Sequence, residues 1–359
     1  MLQRHSELSN NFSLFDFGAI VAAASLAHDL GNPPFGHAGE DALSDFFQHH
    51  PQGQAFHDKV STAEWTDLTK FEGNAQGFRL LNKKEFGLKL TAATLGAFTK
   101  YPCPAYFPER NKSRKSQKKF GFFQTERNLF EQTAIQLGLA SVGKDVGNRH
   151  PLAFLVEAAD DICYSIIDLE DGCRLGLVSF EDTVEMMAAI LGNQFRPEKL
   201  EQHIGLNEKL GVLRALVIGK LLEECTTVFL DEEQSILNGQ FDMALTDVCP
   251  SKAALEEISR VSIEKIYRAR HVVEIEASGH EVLPGLLGEF TAAAFHLIHK
   301  NHSRKYSNLA LLLPEQIRET LKQKTSDYEV LRMVIDFVSG LTDRHALSLF
   351  RKIRGIAVQ

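Results

Sequence analysis

The stretch FGAIVAAASLAHDLGNPPFGHAGE, Phe17 to Glu40, sets the frame for the rest of this 359-residue chain. From Gly18 to Ala27 every position except Ser25 is apolar or small. A run of that length without alternation predicts a helix, and one buried on all sides rather than an amphipathic surface helix. His28 and Asp29 stand side by side in its last turn, and Gly31 supplies a C-terminal stop. A buried, ionised Asp29 would need a cation, because an unpartnered buried charge is costly, and the adjacent imidazole makes a metal ion the expected one. Asn32-Pro33-Pro34-Phe35-Gly36 then forms a stiff corner. His37 and Glu40 follow at a three-residue spacing that places both on one face of the next helix. The stretch thus offers two kinds of metal ligand, a rigid bend and an imidazole–carboxylate dyad.

The remaining composition is that of an ordinary globular protein, with 44% hydrophobic and 24% charged residues. A net charge of −8 excludes a global attraction to nucleic acid or anionic membrane, so a polyanionic substrate requires a local basic site. Cys103, Cys163, Cys173, Cys225 and Cys249 form no CxxC pair and are odd in number, which points to a reducing compartment rather than a disulfide framework or zinc cluster. No apolar run approaches the roughly 20 residues of a membrane span, and the N-terminus has no secretory stretch. The expectation is a cytoplasmic protein without membrane contact.

Helical periodicity predicts helices at about 17–30, 37–48, 74–83, 87–98, 125–139, 152–170, 180–191, 206–230, 252–275, 281–300, 314–323, 326–340 and 343–353. Only Thr226–Leu230 and Val272–Ile275 resemble strands. With no repeat and no Pro/Gly/Ser linker, the fold class is all-α. The expected partition is an irregular lead-in at 1–16, a catalytic part at 17–240 and a helical C-terminal part at 241–359.

Four further segments carry chemistry. In LAFLVEAADDICYSIIDLEDG, Leu152 to Gly172, the residues Leu155, Val156, Ala159, Cys163 and Ile166 fall on one face. Asp160 lies at the margin of that face, and Asp161 is expected to point away into solvent. Asp160, Tyr164 and Asp168 form a stripe at four-residue spacing, suited to a cation and a polar ligand. FEGNAQGFRLL, Phe71 to Leu81, offers Asn74 and Gln76. FTKYP places Lys100 and Tyr101 at a helix end. RNKSRKSQKK, Arg110 to Lys119, holds six basic residues and is a local attractor for a triphosphate or single-stranded nucleic acid, or else a solvated mobile loop. SGLTDRHAL, Ser339 to Leu347, reads as a capped helix start with no assigned role.

The run HDLGNPPFGHAGE resembles the motif of the HD-domain phosphohydrolases and, within them, of the deoxyguanosine triphosphate triphosphohydrolase group. The resemblance extends from about Phe15 to Gly355. It implies an HD-domain helical bundle with a helical C-terminal extension. It further implies hydrolysis of a deoxynucleoside triphosphate, dGTP-like, to deoxynucleoside and inorganic triphosphate. The implied metal ligands are His28, Asp29 and Asp160, holding one divalent cation, Mn²⁺ or Mg²⁺. His37 with Glu40 is the implied catalytic dyad. Asn74, Lys100, Tyr101, Tyr164 and Asp168 are the implied substrate-binding residues, the Lys-Tyr pair on the phosphates and Tyr164 on the deoxyribose. Relatives of this kind assemble as homo-oligomers, and a regulatory nucleotide or single-stranded DNA is a further expected partner. The family's first metal ligand is an earlier histidine in a motif like R-x-T-H-S. Upstream of the HD pair this chain offers only Arg4-His5-Ser6, without the periodicity of a ligand helix, so the expectation is a chain that starts downstream of that histidine. The same residues also suit another HD-domain nucleotide phosphohydrolase, or a catalytically impaired subunit that binds nucleotide or single-stranded DNA.

Overall fold

The computed structural model describes residues 4–83, 87–139, 146–299, 303–323 and 326–356. Among the described residues the regular structure is helical, apart from one isolated bridge between Pro104 and Phe122. The two strand-like pieces lie inside helices Leu206–Asp231 and Arg270–His299. Of their β-branched residues Thr226, Thr227, Val273 and Ile275 are exposed, so these short pieces follow the long helices that contain them rather than their own propensity.

Three apolar clusters build the interior. In the first, Leu43, Phe46 and Phe47 of helix Gly36–His49 meet Leu283, Leu286, Leu287 and Phe290 of helix Arg270–His299 and Leu331, Val334 and Ile335 of helix Asp327–Ser339. The second joins Phe154, Ile162, Ile166 and Leu169 of helix Pro151–Arg174 to Leu213, Val217 and Leu221 of helix Leu206–Asp231, and to Leu255 and Ile258 of helix Lys252–Val261. The third sets Ala24 and Ala27 of helix Leu14–Ala27 against Phe78, Leu95, Phe98, Phe122, Leu152 and Val156. Each fully buried Leu or Phe contributes about 1.5–3 kcal/mol, so these clusters dominate the stability. Helix Pro151–Arg174 belongs to two of them and carries the second half of the candidate site between them.

Three sequence expectations change. Helix Leu14–Ala27 is not buried on all sides. Its inner face is Phe17, Ile20, Val21, Ala24 and Ala27, whereas Leu14, Phe15 and Leu26 point outward. A uniformly apolar sequence gives no period from which to read which face is covered. Helix Pro151–Arg174 buries Phe154, Ala158, Ile162, Ile166 and Leu169, with Cys163 exposed, and it runs through Gly172, where the close approach of Ile266 leaves no room for a side chain. The segment expected at 252–275 breaks into helix Lys252–Val261, a π-helical turn at Ser262–Tyr267, and helix Arg270–His299. That last helix is long and apolar enough to cross a membrane by length and composition, contrary to the expectation from sequence, but 56% of its most apolar window is buried inside the fold. Its apolarity serves the first cluster.

A buried ionic network ties helix Gly73–Leu81 to helix Asp327–Ser339. Asp336 accepts from Gln76 at 2.8 Å, from Arg79 through Nε and Nη2, and from Lys83 at 2.8 Å. Arg79 also reaches Glu126, and the fully buried Arg332 donates to Gln76 and lies 3.5 Å over the Phe123 ring. These cations hold the Asp336 carboxyl below its ordinary range against the opposing effect of burial. Gln76, expected as a pocket group, is spent in this network.

Candidate active site

Helix Leu14–Ala27 starts with a capping box, Ser13 exchanging bonds with Asp16. It ends at Ala27, so His28 is its C-cap and Asp29 begins the turn that leads to Gly31. Gly31 is required by close packing rather than by a cap. A side chain there would stand 2.0 Å from the Gly73 carbonyl oxygen and 2.2 Å from the Gly77 nitrogen. The Asn32–Gly36 corner is held by Phe35 in the left-handed region, at φ 67°, its N–H donating to Asp343 at 3.0 Å. Asp343 thereby gives the Ser339–Leu347 segment a role that the sequence did not suggest.

The His28 ring is fixed from behind. Its Nδ1 lies 2.6 Å from the Ser25 carbonyl, an acceptor, so Nδ1 carries the proton. Nε2 then faces Asp29 Oδ2 and Asp160 Oδ1, each at 3.2 Å. A neutral imidazole would turn its Nε2 lone pair onto two carboxylates, an arrangement that calls for a positive charge between them. An imidazole whose other nitrogen donates to a backbone carbonyl is the usual form of a metal-ligating histidine. Cis ligands on an octahedral ion with bonds of about 2.1 Å stand about 3.0 Å apart, which matches both separations. The His28–Asp29 and His28–Asp160 separations therefore each suit a divalent ion, but among the described residues no group of three or more His, Cys, Asp or Glu is placed to hold a metal ion. The Lys100 ammonium meanwhile contacts Asp160 Oδ2. Asp29 is 70% exposed, contrary to the burial argued from sequence, and its second oxygen accepts from Asn32 at 2.9 Å.

His37 and Glu40 share the first turn of helix Gly36–His49, His37 facing solvent. No hydrogen bond joins them among the described residues. Glu40 instead accepts from the Gly73 N–H at 2.6 Å and lies 3.8 Å from Lys119. Burial raises its carboxyl above the ordinary range, the Glu72 charge adds to this, and Lys119 opposes it. Glu72 is buried, accepts from Asn74 at 2.7 Å and from Lys119 at 3.2 Å, and was missed because a lone Glu before a glycine carries no pattern.

The stripe on helix Pro151–Arg174 is met from the other side by Tyr267, at the end of the π-helical turn. Its hydroxyl donates to Asp168 at 2.6 Å, and its ring stacks on Tyr164 at 5.6 Å. Burial raises the Asp168 carboxyl and the Tyr267 hydrogen bond lowers it. Tyr267 too lay outside any sequence signal, since its position depends on the helix break. Asp161 does not point to solvent. It accepts from Thr246 at 2.8 Å, beside a cleft of about 280 Å³ lined by Lys115, Tyr164 and Lys252. Tyr101 is partly buried, its hydroxyl raised above the ordinary range by burial and then by the Glu157 charge.

Much of the basic segment is paired within the fold. Arg110 donates to the carbonyls of Pro104, Ala105, Gln117 and Lys119; Arg114 pairs with Asp242, Lys115 with Asp247 and Lys119 with Glu72. His5 lies 2.8 Å from Glu233 of helix Glu233–Leu237, and Arg4 bonds the same carboxylate, so His5 is engaged there and not beside His28.

An all-helical bundle in which an adjacent His-Asp pair meets an aspartate from a distant helix defines an HD-domain protein. A family model described as Phosphohydrolase-associated domain matches residues 250–352. A deoxyguanosinetriphosphate triphosphohydrolase-like protein of Synechocystis sp. is 38% identical over 357 residues, covering 96% of this chain and 78% of that one. A protein of the same description from Pseudomonas aeruginosa is 35% identical over 355 residues, covering 95% and 78%. A deoxyguanosinetriphosphate triphosphohydrolase of Yersinia pestis is 28% identical over 403 residues, covering 94% and 78%. The chain belongs to the deoxyguanosinetriphosphate triphosphohydrolase-like family.

Proposed function

We propose that this chain hydrolyses a deoxynucleoside triphosphate, dGTP-like, at the α-phosphorus, giving the deoxynucleoside and inorganic triphosphate. The observation that carries this is His28 Nε2 at 3.2 Å from both Asp29 and Asp160, with its Nδ1 proton committed to Ser25. His28, Asp29 and Asp160 would hold one Mn²⁺ or Mg²⁺, and imidazole beside carboxylate tolerates Mn²⁺ well. When bound, such an ion supplies Lewis acidity toward a phosphate oxygen and acidifies water.

The protein's own groups do the rest. His37, standing free at the rim, moves a proton as base toward water or acid toward the leaving 5′-oxygen, a contribution of roughly 10²–10⁴-fold. Glu40 holds negative charge near it, fixed by the Gly73 N–H. Lys100 and Tyr101 face the phosphates, and Lys119 with Asn74 flanks them through Glu72. Tyr164 packs on the sugar and excludes a 2′-hydroxyl, while Tyr267 fixes Asp168 as a substrate acceptor. The activity is assigned to residues 17–240 and the C-terminal part, which contributes Tyr267, completes the site; a cytoplasmic location follows from this substrate.

Incubation with each dNTP and Mn²⁺, with chromatography of the products, tests the assignment. Orthophosphate in place of triphosphate would reject it. His37→Ala is expected to abolish triphosphate release while leaving Mn²⁺ binding unchanged; normal turnover in that variant removes the proton-transfer role.

A further inference from the structure

Lys119 ends the basic segment with its ammonium between two carboxylates. It lies 3.2 Å from Glu72 Oε1 and 3.8 Å from Glu40 Oε2, so two acids from separate elements share one cation. Both acids are pinned. Glu40 Oε1 accepts from the Gly73 N–H at 2.6 Å, while Glu72 accepts from the Asn74 side chain at 2.7 Å and caps helix Gly73–Leu81. The Glu40 and Glu72 side chains are 12% and 7% exposed against 32% for Lys119, so the cation is free to leave and the acids are not free to follow. Arg110, Arg114 and Lys115 of the same segment are held elsewhere, on backbone carbonyls, Asp242 and Asp247. The other titratable groups facing the pair are His37, on the helix of Glu40, and Tyr101, beyond helix Ala92–Phe98. Burial and then the Glu72 charge raise the Glu40 carboxyl, and Lys119 is the foremost influence opposing them.

We propose that Lys119 triggers proton uptake: a seated triphosphate draws its ammonium off Glu72 and Glu40, and Glu40 then takes one proton from solvent. Two carboxylates in one secluded site do not both stay ionised once the cation between them moves, and the ligand's own negative charge presses the same way. The lysine head is a compact charge with three rotatable donors on a flexible stem, suited to exchanging a carboxylate for a phosphate. Glu40 is thus an anion in the free protein and a neutral acid while the phosphates are seated. A neutral Glu40 no longer favours the protonated form of His37, three residues before it, which makes that imidazole a readier proton donor to the leaving oxygen. When triphosphate departs, Lys119 returns and Glu40 gives its proton back to solvent. Glu72 and Lys119 are positioning residues here, acting through Glu40. The proposal rests on the phosphates binding beside Lys119, as read above, and not on which bond of the substrate is cut.

Calorimetric titration of the full chain with inorganic triphosphate, at pH 7 with Mg²⁺ present and in two buffers of different ionisation enthalpy, counts the protons. The parent chain should take up about one proton more per triphosphate than Glu40→Gln or Glu72→Gln, and His37→Ala should keep that uptake. Lys119→Met should lose it, because its free form already carries the proton. That form should show a protonated-carboxyl infrared band which the parent gains only with triphosphate bound. Equal counts in the parent and Glu40→Gln overturn the proposal, as does an uptake lost in His37→Ala but kept in Glu72→Gln, or a parent chain that does not bind triphosphate. Glu72→Gln retains a capping oxygen; should it still unfold, Glu40→Gln and Lys119→Met decide. The products of dNTP hydrolysis are a separate readout, so orthophosphate there alongside the expected uptake here rejects the catalytic assignment and upholds this proposal.

Discussion

Replacing Gly31 with alanine probes how closely the His-Asp corner is seated on helix Gly73–Leu81. The added methyl would stand 2.0 Å from the Gly73 oxygen, 2.2 Å from the Gly77 nitrogen and 2.9 Å from the Gln76 carbonyl carbon, all backbone atoms. No side-chain rotation relieves such contacts, and the opposing helix is itself clamped by Arg79 on Asp336. Ordinary contact begins at 3.4 Å, so corner and helix must part by about 1.4 Å in a close-packed interior. Overpacking costs about 1–3 kcal/mol, and the rigid partners place this substitution at the upper end. In a chain of this length that corresponds to a Tm lowered by roughly 4 °C. The same displacement carries His28 and Asp29 away from Asp160, and a misplacement of about 1 Å costs on the order of 10² in rate. Calorimetry and triphosphate release from dGTP measure the two effects. Gly211→Ala, in helix Leu206–Asp231 with open space around it, is the control and should gain up to about 1 kcal/mol. Unchanged Tm and turnover in Gly31→Ala would refute the close-approach argument.

Three other outcomes are expected. Free Mn²⁺ at about 100 times its Kd should stabilise the protein by about 2.7 kcal/mol, and Asp160→Asn should remove most of that gain; a Tm indifferent to Mn²⁺ in the parent chain rejects the ligand assignment. Tyr267→Phe deletes the 2.6 Å bond to Asp168 and should lower kcat/KM for a dNTP about tenfold, mainly through KM, with the fold intact; an unaltered KM means Asp168 is positioned without it. Asp67 is buried, and its carboxyl is pushed up to about 7 from an ordinary 3.8. Between about pH 4 and 7 the unfolded chain ionises this group while the native state keeps its proton, so stability falls as pH rises through that window. Asp67→Asn should therefore gain Tm relative to the parent between pH 5 and 8, and parallel profiles would contradict the assignment.

The helical class was legible from periodicity, whereas the meeting of His28 and Asp29 with Asp160 was an implication of the family resemblance; in the structure His28 Nε2 lies 3.2 Å from both carboxylates. Asp160 was chosen over Asp161 by its place on the helical stripe, and the His28 contact agrees. What failed was everything set by what covers a surface. The face of helix Leu14–Ala27 has no period to betray its open side. Asp161 was sent to solvent because Thr246, some 85 positions away, is invisible to a helical wheel. Glu72, Tyr267 and Asp343 act through partners distant in the chain, and Gln76 was drawn off by Asp336 and Arg332 for the same reason. The basic segment was legible as charge, yet Arg110, Arg114, Lys115 and Lys119 find carboxylates and carbonyls that composition does not reveal.

The helix Arg270–His299 lies across Gly36–His49, and the turn just before it hands Tyr267 to Asp168. The segment matched as phosphohydrolase-associated thus shares the core of helix Gly36–His49 and reaches helix Pro151–Arg174, and is not a detachable annex. A lineage could not shed or exchange it without uncovering Phe46 and Phe47 and releasing Asp168 together. Inheritance of the two parts should accordingly be joint, and drift in one should be answered by compensating drift in the other.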